Sequence, residues 1–178
     1  MPIKVGVALY LVRTSYDQPG YYHWAIVATK EESWQIQPVR VYEIKRGSGG
    51  RFVQSFTSER LDKSNALTGI VDLFTTNVYS SFDQILDRVC TIKSEDCGWR
   101  FPGRFGPPTG WDCSTWVLQA LHRFYEDGAW NVPEEVFLRA YTTILNRASE
   151  MAATSRTSAI RSIPLIRAPR GYGYGYRY

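Results

Sequence analysis

Two residue types able to work together on a carbonyl, a cysteine and a histidine, sit in settings that single them out. Cys113 follows Trp111-Asp112 and precedes Trp116, Val117, Ala120, Leu121 and Phe124, the apolar stripe of an amphipathic helix. Pro107-Pro108-Thr109-Gly110 is poor helix sequence, and Asp112 is a good N-cap. The spacing therefore predicts a helix whose first position is Cys113. There the unpaired backbone N–H groups and the positive end of the helix dipole favour a thiolate. The same N–H groups are placed to hold the oxyanion that forms when a thiolate attacks a carbonyl. On the sequence alone the alternative is a small buried hydrophobe ahead of the stripe.

A nucleophilic cysteine needs a base, and the chain holds two histidines. His122 falls nine residues further along the same helix, about half a turn round and about 13 Å along the axis. It cannot touch the sulfur and reads as a surface residue beside Leu121. His23, in Tyr22-His23-Trp24-Ala25-Ile26-Val27, shares a strand face with Ala25 and Val27. A polar ring on an apolar face needs a partner, and a thiol opposite supplies one; the alternative is a core histidine bonded elsewhere. A third group orients such a ring by accepting from its other nitrogen. Glu43, on the face of Val39 and Val41, is the first candidate, with Gln35 and Gln37 of the same parity behind it.

These residues need a scaffold. Ile3–Val12, Tyr22–Thr29 and Val39–Lys45 read as strands. Gly47–Gly50 reads as a hairpin link to a strand at Arg51–Phe56, and Thr68–Phe74 as a fifth strand. Arg13–Gly20 is a polar, turn-prone link. After Ser80-Ser81 the period becomes helical, with Phe82, Ile85, Leu86 and Val89 in register. Asp96–Gly110 is a loop carrying Trp99, Phe101 and Phe105, either lining a pocket or packed as a cover. One last helix is predicted from Asn131, with Pro133, Glu134 and Glu135 in its first turn and a stripe of Val136, Phe137, Ala140, Tyr141, Ile144 and Leu145. Strands first and helices later give an α+β class, an antiparallel sheet packed on helices.

Composition narrows the function classes. The net charge of +4 rests on the end of the chain, where five arginines and no acid follow Glu150. The remainder is close to neutral, so the folded body is not expected to grip DNA. We expect one domain over 1–152, and a disordered basic Arg/Gly/Tyr tail over 153–178 that makes at most weak contacts with RNA or another protein. Three cysteines, Cys90, Cys97 and Cys113, are too few for a disulfide scaffold, and no secretory leader is read at the start. The expected location is cytoplasmic, with no integral membrane segment. Core packing accounts for Cys90 and a loop position for Cys97. Neither a zinc ligand set nor a phosphate-binding glycine loop is present, so no metal or cofactor is expected.

The runs His23-Trp24-Ala25-Ile26-Val27 and Asp112-Cys113-Ser114-Thr115-Trp116-Val117 resemble the circularly permuted papain-like group. That group holds NlpC/P60-related proteins, the lecithin:retinol acyltransferase-like enzymes and the PPPDE peptidases. The histidine run, with Tyr21 two positions ahead, is most similar to the acyltransferase branch. The cysteine run is similar to small uncharacterised fungal proteins of the same fold. The resemblance covers roughly residues 20–126 and implies a permuted papain-like fold in which the histidine strand precedes the cysteine helix. It implies Cys113 as nucleophile, His23 as base, a third member near Glu43, and Tyr21 as a donor near the oxyanion. The usual Asn before the cysteine is Asp112 here. The expected activity is a thiol-dependent hydrolase or acyltransferase working through an acyl-enzyme on an amide, ester or thioester carbonyl. Its substrate would be a small molecule, a peptide or an acyl thioester. The alternative is a catalytically inactive member of the same fold serving as a binding module, its tail contacting a partner or RNA.

Overall fold

Runs of Val, Ile, Leu and Ala with a period of two build most of a six-stranded sheet. β1 (Ile3–Val12), β2 (Tyr21–Thr29), β3 (Val39–Arg46), β4 (Phe52–Glu59), β5 (Leu67–Thr76) and β6 (Ser162–Pro164) lie in the order β4-β3-β2-β1-β5-β6. All neighbours are antiparallel except β5 and β6, which run parallel. The computed structural model describes residues 1–12, 21–103, 106–107, 110–153 and 159–166. The link Arg13–Gly20, Phe105 and the tail beyond Ile166 lie outside them.

The first five strands fall where the alternation predicts them, β1 with the same bounds and the others shifted or extended by one to three residues at an end. β6 was not expected. Residues 159–166 belong to the stretch read as tail, yet Ser162–Pro164 pairs with β5, and Ile160 and Leu165 are buried. Gln35 ties this segment down. Its amide nitrogen donates to Ile160 O at 2.6 Å, and its Oε1 accepts from Ile160 N at 3.0 Å.

Among the described residues four α-helices follow the alternating strands: α1 (Phe82–Cys90), α2 (Cys113–Glu126), α3 (Glu134–Leu138) and α4 (Ala140–Ala153). α1 starts at Ser81, whose side chain accepts from Gln84 N, while Gln84 Oε1 accepts from Ser80 N, so two otherwise unpaired N–H groups are satisfied reciprocally. The single last helix expected from Asn131 is instead two. The chain leaves helical geometry at Arg139 (φ −101°, ψ 4°) and restarts at Ala140, which keeps Phe137, Ala140 and Ile144 all buried. Cys90 is exposed, not packed in the core. The buried side of α1 is carried by Ile85 and Val89, and one step beyond Val89 the helix has turned by about 100°, so the Cys90 thiol points outward and donates to Asp87 O.

The two faces of the sheet are covered differently. One face packs Val5, Val7, Leu9, Trp24, Ile26 and Ile44 against Trp116, Val117, Leu121 and Phe124 of α2, with α1 and α4 alongside. Each of these large side chains contributes about 1.5–3 kcal/mol by leaving water. The other face holds Ala8, Ala25, Val27, Val39 and Val41, capped by Trp34, Leu61 and Ile160 from connecting segments. Trp34 lies close over β1 because residue 6 is glycine: a Cβ there would stand 2.8 Å from Ile70 Cγ2 and 3.1 Å from Trp34 Cζ2. The indole N–H donates to Asp72, which also pairs with Lys4. No helix among the described residues is long and apolar enough to cross a membrane.

Candidate active site

β2 and β3 pair only from Ile26↔Tyr42 to Ala28↔Arg40. Beyond Ala25 and Glu43 they separate, and α2 presents its N-terminus to that gap. Gly110, at φ +137°, takes a backbone conformation that suits glycine and turns the chain into Trp111-Asp112. Asp112 then caps the helix: its Oδ1 accepts from Thr115 N at 2.9 Å and from the hydroxyls of Ser114 and Thr115. Trp116 N–H closes on Asp112 O. Among the described residues this leaves the N–H groups of Cys113 and Ser114 without hydrogen bonds, beside the sulfur. They are the pair an oxyanion would use.

Cys113 is buried, and Trp24 N–H donates to its Sγ at 3.5 Å. The preceding residue on β2 is His23, whose Nε2 lies 2.5 Å from Glu43 Oε2. With Nε2 committed to the carboxylate, Nδ1 is the nitrogen left for the sulfur. Lys45, two positions along β3 from Glu43, pairs with Oε1 at 2.7 Å, so each carboxylate oxygen has one cationic partner. Behind the imidazole stands Tyr10, its cross-strand neighbour, with ring centroids 6.0 Å apart. Carboxylate and imidazole are bonded directly, and the imidazole is coupled in turn to the Cys113 sulfur, so groups from β3, β2 and α2 are linked.

The charges follow from this packing. Burial is the largest single influence on His23 and works against protonation. Hydrogen bonds to Cys113 and Glu43, and the attraction of both groups' negative charges, outweigh it and raise the pKa to about 9. Burial likewise opposes ionisation of Glu43, but bonds from His23 and Lys45 hold its carboxyl below the usual range. Tyr10 is pushed well above the tyrosine range by burial and then by the charges of Glu43 and Glu59, so it is neutral. At neutral pH the arrangement is an imidazolium between a carboxylate and a sulfur.

This has a measurable consequence for stability. A folded-state pKa raised from 6.5 to about 9 at His23 stabilises the fold fully below pH 6.5 and progressively less as pH rises through 9. The lowered Glu43 contributes above its unfolded value of 4.5 and is lost as pH falls below it. The urea midpoint is therefore expected to be highest between pH 4.5 and 6.5 and to decline toward pH 9. The alkaline decline should disappear in His23→Gln.

A cavity of about 730 Å³ opens over Cys113 and His23, a size that suits a small ligand or a few residues of peptide. Its walls are Tyr21–Trp24 of β2, Ile44–Arg46 of β3, Phe52 of β4, Asp112–Ser114 at the head of α2, and Tyr141 and Leu145 of α4. Trp24 and Tyr141 stack at 5.7 Å between the sheet and α4. Tyr21 sits on this wall with about half its surface exposed. Cys113, His23 and Glu43 are brought together, whereas the two glutamines are not. Gln35 holds Ile160, and Gln37 bonds Trp34 O and Leu61 N. His122 lies away from the cavity, stacked on Phe137 at 5.3 Å and on the α2 face that Trp99 covers. Trp99 and Phe101 pack there as well, and Trp111 N–H donates to Ser94 O. The described aromatics of that loop do not line this cavity.

Lys45 and Tyr10 join the site without having been singled out by the sequence pattern. Lys45 carried a signal, since it shares the strand parity of Glu43. Tyr10 carried none, because its contact depends on how β1 and β2 pair. Among the described residues no group of three or more His, Cys, Asp or Glu is placed to hold a metal ion. No protein-family model, no curated protein and no solved structure matches this chain, so the functional reading rests on this geometry.

Proposed function

We propose that the protein is a thiol-dependent hydrolase or acyltransferase, built like the circularly permuted papain-like enzymes, that forms an acyl-enzyme on Cys113. The observation carrying this reading is that Cys113 and His23 line one cavity while Glu43, buried behind it, bonds His23. The Cys113 thiolate attacks an amide, ester or thioester carbonyl, forming a C–S bond while the carbonyl electrons move to oxygen. The Cys113 and Ser114 N–H groups hold that oxyanion. As it collapses, the bond to the leaving group breaks and His23 gives that group its proton. Water or another nucleophile then attacks the thioester, His23 takes back a proton, and the thiolate departs. Glu43 does not exchange protons. It keeps the imidazolium charged and aimed, and Lys45 holds Glu43 in turn.

The test is site-resolved alkylation. Iodoacetamide at neutral pH is expected to label Cys113 far faster than Cys90 and Cys97, both of them exposed, with peptide mass spectrometry as the readout. That advantage should vanish in His23→Ala. Equal, slow labelling of all three cysteines would favour a binding module on the same scaffold instead.

A further inference from the structure

The cavity carries a positive charge that the proposed chemistry does not use. Lys45 is bound to Glu43. Arg46, the next residue, is exposed and lines the same cavity, and no carboxylate among the described residues pairs with it. Its guanidinium lies over the Phe52 ring at 5.5 Å, and Phe52 is its direct cross-strand partner and a cavity wall. A guanidinium stacked on a ring is held in plane while its N–H edge stays free. That edge matches the paired oxygens of a carboxylate or phosphate. Asp112 is the one acid on the described cavity wall, at the α2 end of the cavity where its Oδ1 caps the helix. Ile44 and Leu145 make the wall apolar. Arg46 stands three residues beyond Glu43 along β3, about 10 Å at the rise of a strand.

We propose that Arg46 sets the specificity of this site. Its preferred acyl donor has an apolar segment ending in an oxyanion, a carboxylate or phosphate, several bonds from the carbonyl that Cys113 attacks. The inference rests on the cysteine-nucleophile reading and deepens it by naming the substrate class.

Three alkylating probes share an iodoacetyl group on a six-carbon aminoalkyl spacer and end in a carboxylate, a phosphate or a neutral N-methylamide. In each, a C–S bond forms at Cys113 and iodide leaves, with no proton donor required. At least one anionic probe is expected to label Cys113 about tenfold or more faster than the neutral probe, the effect of one charge-assisted contact. The ratio should fall to about one in Arg46→Gln and below one in Arg46→Glu, and shrink with added salt in the native protein. The faster of the two anionic probes identifies the anion. A ratio near one in the native protein, or a preference that survives Arg46→Gln, overturns the assignment while leaving the nucleophile intact. Slow labelling of Cys113 by all three probes overturns both.

Discussion

Cys113→Ala is expected to lower hydrolysis of a p-nitrophenyl ester by about 10⁴-fold or more, the usual consequence of deleting a nucleophile. The fold should survive, because the change removes one buried sulfur and leaves the Asp112 cap and the α2 stripe in place. We expect its stability cost to stay below about 1.5 kcal/mol. Intact-mass spectrometry of the native protein, quenched early, should show the added acyl group, with none in the variant. Turnover that persists in Cys113→Ala, at a rate beyond buffer hydrolysis, would move the chemistry to another residue.

Glu43→Gln is expected to have the next largest effect. The amide fits the same space but carries no charge, so His23 loses one of its two anionic partners and the tautomer control that a carboxylate provides. A fall of about 10²- to 10⁴-fold in kcat is expected, with little change in KM. The pH profile carries more information. For anilide or alkyl ester substrates, whose leaving groups must take a proton, kcat/KM of the native enzyme should decline as His23 deprotonates near pH 9. In Glu43→Gln that alkaline limb moves down toward the ordinary histidine value of 6.5. A p-nitrophenyl ester needs no such proton, so its alkaline limb should be weak in both proteins. A limb at the same pH in native enzyme and variant would mean that the carboxylate does not govern the ring.

The sequence made the pieces of this site legible more readily than their assembly. The head of α2 could be read because its signals are local: a proline- and glycine-rich lead, an N-cap and an apolar stripe. His23 and Glu43 could be read because strand parity sets an out-of-place polar side chain against its apolar neighbours. Parity could not choose between Glu43 and Gln35 or Gln37. That choice depends on where β2 and β3 part company and on the loop that carries the glutamines to Ile160 and Leu61, both long-range properties. β6 escaped for a similar reason. Three residues have too little pattern to announce a strand, and only the edge of β5 and the Gln35 clamp make one of them. The break at Arg139 is a tertiary effect as well, since the stripe of Val136 to Leu145 reads smoothly through it.

His23 is charged at neutral pH because it stands between Glu43 and Cys113. The most direct measurement is an NMR titration of ¹⁵N-labelled imidazole in the native protein, Cys113→Ala and Glu43→Gln. In the native protein His23 is expected to stay doubly protonated through neutral pH and titrate near 9. Its midpoint should move downward in each variant. A native His23 that titrates near 6.5 and ignores both substitutions would contradict the account at its root.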